Sequence, residues 1–144
     1  MSGKLKADPD FAPCPVCEDD ELFRNGIFIF NVTQIIKHIA NSPTAVNLVE
    51  VAVSEFEPEF SVIDESHVDS VDITRPVILA EISPGRYNLI DGNHRMEKAR
   101  RLGIERMQAY KLNMEQHISF LTSSKAYQSY VEYWNRKLED RDGR

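Results

Sequence analysis

A short polar box between two predicted regular elements restricts the fold more than any other part of the chain. The box is Asp91-Gly92-Asn93-His94-Arg95, and an apolar strand predicted over 87–90 leads into it. Apolar residues then recur at helical spacing over 96–102, and Gly103 stands where a helix C-cap falls. A second strand is predicted over 107–112. The pattern therefore predicts a βαβ unit in which a glycine turn joins a strand to a helix.

The box has the composition of an anion site. Ligands bind βαβ units beyond the carboxyl end of the first strand, where the box lies. Backbone N–H groups at a helix start, with an imidazole and a guanidinium beside them, favour a phosphate. A cation in the first turn, as Arg95 is, opposes the helix dipole by about 0.3–1 kcal/mol, and a bound anion would remove that conflict. The same residues also fit an ordinary Asp-Gly turn with an Asn cap and a solvated His and Arg.

Length and charge exclude several classes of protein. A chain of 144 residues fits one domain, and a domain of about this size buries roughly 68–70% of its unfolded surface. The net charge of −6 argues against broad attachment to nucleic acid or to an anionic membrane, although the segment 95–106 is locally basic. No apolar run approaches the ~20 residues of a membrane span, and the start of the chain lacks a signal peptide's apolar region. A cytoplasmic protein is expected.

The remaining pattern predicts a single domain over 21–144 behind a flexible N-terminal arm at 1–20, which is rich in Pro, Asp and Lys. A short apolar strand over 27–30 precedes an amphipathic helix capped by Asn31. Further predicted elements are a strand over 47–56, a short helix over 66–71 in an acidic stretch, a hairpin over 76–90 turning at Ser83-Pro84-Gly85-Arg86, and C-terminal helices over 113–139.

The C-terminal helices carry two apolar stripes, the second of which is aromatic. Such a stripe is more often core or dimer surface than a base-stacking platform, so a homodimer is compatible with it. His38 and His117 are expected to be ordinary surface residues, and the tail over 139–144 is expected to fray. The fold class is α/β in a mixed α+β arrangement, with a small mixed sheet, the βαβ unit, and flanking N- and C-terminal helices.

The stretch from Asp72 to Leu112, with its lead-in from Val49, resembles the ParB/sulfiredoxin superfamily. Members run strand, acidic linker, short helix, Pro-led hairpin, and then a strand that ends in Asp-Gly-x-His-Arg at a helix start. Here the hairpin opens at Arg75-Pro76 and the box supplies the final motif. The family-like segment covers about 49–112, and the resemblance implies a ParB/sulfiredoxin-like fold.

The resemblance also implies roles for individual residues. In that superfamily the Gly-x-His-Arg segment holds nucleotide phosphates, which assigns phosphate binding to Gly92, Asn93, His94 and Arg95. The short predicted helix is similar to a segment that also touches nucleotide in sulfiredoxins, so His67 and Ser70 become further candidates. The reactive Cys of sulfiredoxins is replaced by Asn93, which rules out the same thiol chemistry. The arginine-rich box of chromosome-partition ParB proteins is absent as well.

Within the superfamily, the layout is most similar to stand-alone enzymes resembling free-serine kinases, which keep a catalytic Glu just after a Pro. Pro58-Glu59 lies at nearly that place, one residue out of register. The resemblance then makes Glu59 the base for a substrate hydroxyl. Asp91 would hold Mg²⁺ or orient a phosphate, and His94 and Arg95 would stabilise the transferring phosphoryl group. A solvated acidic loop is the alternative for Glu59 and its neighbours.

The implied function is nucleotide binding by a ParB-like domain, with ATP or another nucleotide as ligand. If the protein is an enzyme, the hypothesis is an ATP-dependent phosphotransferase or nucleotide hydrolase that uses Mg²⁺. A small hydroxyl compound is then the candidate substrate. The alternative is a non-catalytic regulatory or interaction module linked to DNA maintenance. Nuclease activity is the least favoured, because the chain is acidic and shows no clear carboxylate cluster for a metal.

Cys14-Pro15-Val16-Cys17 has the two-residue spacing of a zinc knuckle or a redox pair. A structural zinc needs four ligands, and the chain has no second Cys pair. Cys14 and Cys17 are therefore weak zinc candidates, and no metal site is assigned. In a reducing compartment we expect both thiols to be reduced or metal-bound rather than paired in a structural disulfide.

Overall fold

The chain forms a mixed α and β structure, seen in a computed structural model that describes residues 3–25, 28–42, 44–56 and 63–142. The class predicted from the sequence, mixed α and β, is confirmed. The elements in chain order are β1 (Leu22–Asn25), β2 (Phe28–Asn31), α1 (Val32–Asn41), β3 (Asn47–Ala52), α2 (Glu65–Val68), β4 (Val77–Ser83), β5 (Arg86–Asp91), α3 (Asn93–Arg101), β6 (Arg106–Leu112), α4 (Met114–His117) and α5 (Ser124–Asp142). Short 3₁₀ turns follow β3 and α4.

A four-stranded sheet in the order β3-β6-β4-β5 positions the box. β4 pairs antiparallel with β5 and parallel with β6, while β3 pairs antiparallel with β6 at one edge. The predicted hairpin is confirmed, and Gly85 has the positive φ of 76° that the third position of a type II turn requires. The predicted helix after the box and the strand that follows it are confirmed as α3 and β6.

The βαβ prediction is wrong about how these elements are joined. β4 lies between β5 and β6, so β5 runs antiparallel to β6, and the parallel pair is β4 with β6. The carboxyl end of β5 therefore meets the amino ends of β4 and β6. The rule that places ligands at the carboxyl ends of parallel strands does not apply to the box. Apolar periodicity identifies elements, but strand order depends on pairing between distant segments.

Strand β4 is buried along its whole length and separates two apolar clusters. Val77 and Leu79 face α3, with Met96 and Ala99, whereas the alternate residues of β4 face α1 and α5. The aromatic stripe of α5 belongs to this second cluster, and Trp134 is fully buried in it. That stripe is confirmed as core.

The N-terminal part of the domain follows the prediction closely. Asn31 caps α1 through a hydrogen bond that its side chain accepts from the Gln34 N–H, and Ser42 is the C-cap. β2 pairs antiparallel with β1, while Ile27 of the predicted apolar strand lies outside the described residues. The predicted strand over 47–56 ends earlier, at Ala52, and the predicted helix over 66–71 is instead Glu65–Val68.

The arm over 3–20 contains no helix or strand and lies against α5. The Leu5 N–H and carbonyl both bond to the side chain of Asn135, at 2.7 and 2.8 Å. The ring of Phe11 stacks on Tyr127 with centroids 4.0 Å apart. Contacts of this kind continue to Cys14, whose N–H bonds to the carbonyl of Leu121. The arm thus forms part of the surface that covers α5.

The C-terminal region departs from the prediction at two points. α5 continues to Asp142, so the residues expected to fray are helical as far as that position. His117 was expected at the surface and is fully buried, beside Phe30 and Tyr130. His117 follows Met114 by three residues and precedes Leu121 by four, so it lies on the apolar stripe. Among the described helices, none is both long and apolar enough to cross a bilayer.

Candidate anion-binding cleft

A cleft of about 740 Å³ opens where β5 passes into α3, and we call it the α3 cleft. Its floor is the box itself. One wall comes from the segment that follows α2, and the other comes from β1 and the start of α1. The lining residues are Glu21, Leu22, Phe23, Arg24, Val32, Ser70, Val71, Asp72, Arg75, Ile90, Asp91, Gly92, Asn93, His94 and Arg95.

Gly92 brings the start of α3 against β4. It is the N-cap of α3 with φ of 104°, a left-handed conformation that residues with a Cβ rarely adopt. A Cβ built at Gly92 would lie 2.5 Å from Cγ1 of Val77. The first helical bond runs from the Met96 N–H to the Gly92 carbonyl, at 2.9 Å. The N–H groups of 93–95 therefore precede the helical ladder and have no capping side chain at Gly92.

Arg95 is buried and directs both terminal nitrogens at the protein's own acceptors. Nη2 donates to Oδ2 of Asp91 at 2.8 Å, and Nη1 donates to the carbonyls of Pro76 and Arg75 at 2.5 and 3.3 Å. The guanidinium thus links α3 to β5 and to the chain entering β4. Asp91 supplies the negative charge next to the first-turn cation, so the conflict with the helix dipole is relieved without a bound anion.

His94 joins the floor of the α3 cleft to the start of α2. Its Nε2 accepts a hydrogen bond from the Asp64 N–H at 2.9 Å. The ring of His67 lies 5.7 Å from that of His94. Hydrogen bonds from the hydroxyl and the N–H of Ser66 lower the pKa of the Asp64 carboxyl.

Two further cations of α3 hold α2 and the segment that follows it. The Lys98 ammonium donates to the carbonyls of Asp69 and Val71 at 2.8 and 2.9 Å. The Arg101 guanidinium forms two bonds of 2.8 Å to the carboxylate of Glu65. This wall of the α3 cleft is therefore held by the same helix that forms its floor.

Two exposed arginines on the rim were missed by sequence reasoning. Arg24 comes from β1 and Arg75 precedes β4, so nothing in their sequence positions connects them to the box. Within the described part of the chain, neither guanidinium has a hydrogen-bond or ion-pair partner. Asp72 lies near Arg75, and its pKa is lowered mainly by hydrogen bonds from Thr74 and further by the charge of Arg75. A basic residue before a Pro-led strand was the only available signal.

The structure brings most of the predicted binding residues to the α3 cleft. Gly92, Asn93, His94, Arg95, Asp91 and Ser70 line it, whereas His67 contacts His94 from outside the lining. Ser70 Oγ donates to the carbonyl of His67 at 3.0 Å. Glu59, the residue that the resemblance assigns as base, lies outside the described residues.

Cys14 and Cys17 are free thiols away from the α3 cleft. Burial raises the pKa of Cys14, and the nearby Asp20 and Cys17 raise it further, so the thiol is protonated near neutrality. In the ranges that the structure describes, no three side chains of the His, Cys, Asp or Glu type are placed to hold a metal ion together.

The α3 cleft is lined by backbone N–H groups, the imidazole of His94 and three guanidinium groups, of which that of Arg95 is already engaged by Asp91 and by backbone carbonyls. This is a donor set for an oxyanion, with Glu21, Asp72 and Asp91 as the carboxylates that line the same cleft. Comparison of the chain with protein-family models, with curated proteins and with solved structures finds no match.

Proposed function

We propose that this protein binds a nucleotide, with the phosphates at the amino end of α3, in a domain of ParB/sulfiredoxin-like type. The observation that carries the proposal is that the glycine-capped start of α3 opens into a cleft with two unpartnered arginines on its described rim. A helix N-terminus favours an anion through its free N–H groups and its dipole. The guanidinium groups of Arg24 and Arg75 add positive charge, and neither group has a hydrogen-bond or ion-pair partner among the described residues.

In this proposal the residues of the box have unequal roles. The N–H groups of Asn93 and His94 contact phosphate oxygens, and Arg75 neutralises them from the rim. Arg95 has mainly a positioning role and does not contact the phosphate, because its Nη atoms are engaged by Asp91 and by two backbone carbonyls. It fixes the strand-to-helix turn in the geometry that a phosphate would meet.

The proposed reaction is transfer of the terminal phosphoryl group of ATP to a small hydroxyl compound. Glu59 would accept the proton of the hydroxyl, the hydroxyl oxygen would form a bond to the γ-phosphorus, and the bond to the β-phosphate oxygen would break to release ADP. Mg²⁺ would neutralise the phosphate charge, with Asp91 as the nearest carboxylate of the box. With water as the acceptor, the same arrangement would hydrolyse the nucleotide.

A non-catalytic module is the second candidate, and one contact favours it. The Asp91 carboxylate is committed to Arg95 at 2.8 Å, and its side chain is only 16% exposed. A carboxylate held in this way is less available to a metal ion than a free one. Such a protein would bind nucleotide without turnover, and the bound nucleotide would control its interaction with a partner, for example in DNA maintenance.

Isothermal titration with ATP and Mg²⁺ tests the binding site through Arg75→Ala. We expect a Kd about 5- to 20-fold weaker, the effect of losing one charge-assisted phosphate contact. Arg86→Ala is the matched control, because Arg86 is an exposed arginine at the opposite end of β5. It removes the same charge and should leave the Kd within about twofold. Equal Kd values for wild type and Arg75→Ala, or equal weakening in both variants, would contradict the site.

Product analysis with ATP and a panel of hydroxyl compounds separates the two candidates. Turnover that disappears in Glu59→Gln while ATP still binds supports the phosphotransferase. Binding without turnover in the wild-type protein supports the module.

A further inference from the structure

A second cavity adjoins the α3 cleft on the side of α1. It encloses about 250 Å³ and shares Arg75, Asp91 and Arg95 with the cleft. Those three residues are the whole overlap between the two sets of lining residues. The Asp91–Arg95 ion pair therefore stands between the two spaces, and Arg75 lies at the mouth of both.

The walls of this second space are mostly apolar, and we call it the apolar cavity. They are formed by Ile36, Ile39, Ala40, Pro76, Ile78 and Tyr110. These side chains come from α1, from Pro76 before β4 and Ile78 within it, and from β6. Helix α1 lies outside the segment that carries the family resemblance, so that resemblance predicts nothing about it.

The size of the apolar cavity limits what it can hold. Pockets for whole drug-sized ligands run to about 300–1,000 Å³. A volume of about 250 Å³ fits one flat ring system rather than a complete nucleotide. Apolar walls with a few fixed polar groups are what such a ring requires, and Asp91 and Tyr110 are the lining residues that add polar groups beside the two arginines.

We propose that the apolar cavity takes the base of a purine nucleotide whose phosphates lie in the α3 cleft. This inference rests on the proposed function. The ring would pack against Ile36, Ala40 and Tyr110. The ribose would pass over Arg75, which borders both spaces. The protein would then recognise the phosphates through charge in the α3 cleft and the base through shape in the apolar cavity.

Ala40→Phe tests the proposal by filling the apolar cavity. Ala40 is exposed near the end of α1, so a larger side chain is tolerated without repacking the core. Asn41→Phe is the matched control, because it places the same ring on the next residue of α1, outside the cavity lining. Isothermal titration of each variant would use ATP, GTP and inorganic tripolyphosphate, all with Mg²⁺. Thermal unfolding would confirm that both variants are folded.

We expect Ala40→Phe to weaken binding of ATP or GTP about tenfold or more, because the base loses its apolar contacts. Binding of tripolyphosphate should be unchanged, and Asn41→Phe should behave as wild type. Unchanged nucleotide binding in Ala40→Phe, or equal loss for tripolyphosphate, would overturn the inference. If tripolyphosphate binds the wild-type protein and ATP and GTP bind no tighter, the inference fails while the proposed phosphate site stands. If neither tripolyphosphate nor ATP nor GTP binds the wild-type protein, the proposed function fails.

Discussion

Gly92 meets two requirements of the turn between β5 and α3, one on its backbone conformation and one on the space that it occupies. Its φ of 104° lets the chain turn from β5 into α3, and its lack of a side chain lets that turn lie against Val77. Arg95 then fixes the turn from the helix side. These contacts stabilise the turn from β5 into α3 whether or not a ligand is bound.

Gly92→Ala should lower the free energy of unfolding by about 2–5 kcal/mol. The left-handed backbone costs about 1–2 kcal/mol with a Cβ, and the overlap with Val77 adds about 1–3 kcal/mol. Gly103→Ala is the control, since Gly103 has φ of 74° and nothing within 4 Å of a built Cβ. It should show the backbone cost alone. Urea unfolding measures both, and equal losses would show that the contact with Val77 is unimportant.

The sequence predicted where the box lies but not how its side chains are used. Asp-Gly before an apolar helical stripe is a local signal, so the turn and the start of α3 followed directly. The partners of Arg95 include the carbonyl of Pro76, 19 residues earlier, and no local pattern encodes such a contact. Arg24 was missed for the same reason, because it reaches the cleft from β1.

Among the secondary-structure elements, those with strong periodicity were predicted well and their pairing was not. The strands β4, β5 and β6 and the helix α3 lie within a few residues of their predicted bounds. The insertion of β4 between β5 and β6 depends on parallel pairing with β6, which joins segments about 30 residues apart. Whether the topology is ParB-like stays a prediction.

Asn31→Ala should destabilise the protein by about 2–3 kcal/mol. The side chain of Asn31 is buried, caps α1, and donates to the Pro15 carbonyl at 3.0 Å and to Asp20 at 2.9 Å. Loss of a cap costs about 1 kcal/mol, and unpaired buried groups add to it. Asn113→Ala is the comparison, because Asn113 caps α4 from an exposed position and should cost only about 1 kcal/mol. Chemical denaturation of both variants should reproduce this order, and the reverse order would contradict it.

For the molecule as a whole, the buried His117 ties stability to pH. Its Nε2 donates to the Glu81 carbonyl at 2.5 Å, and the Tyr130 hydroxyl donates to the same oxygen at 2.6 Å. Its Nδ1 is buried without a hydrogen-bond partner among the described residues. Burial lowers the pKa of His117 to about 4, against the weaker opposing effect of its bond to Glu81.

Stability should therefore fall as the pH drops from about 6.5 to about 4. In this window the unfolded chain binds a proton at His117 and the folded chain does not, so the contribution is fully present above pH 6.5. A pKa difference of this size amounts to about 3 kcal/mol. The unfolding free energies at pH 7 and pH 4.5 should differ more in wild type than in His117→Gln. His38→Gln, at a partly exposed histidine on α1, should keep the wild-type dependence. A wild-type slope in His117→Gln would contradict the assignment.

The contact of α3 with α2 and its contact with the segment after α2 differ in their sensitivity to ionic strength. Arg101 and Glu65 form an exposed ion pair, and such pairs weaken as salt shortens the Debye length from about 8 Å at 0.15 M to about 3 Å at 1 M. Lys98 instead donates hydrogen bonds to two backbone carbonyl oxygens, and its bond to the Val71 carbonyl is partly buried. Added salt would thus weaken the contact between Arg101 and the first residue of α2, while the bond from the Asp64 N–H to His94 and the Lys98 bonds to 69 and 71 persist. The strength with which α3 holds the start of α2 therefore depends on the solvent, whereas the wall of the α3 cleft at 70–72 stays in place.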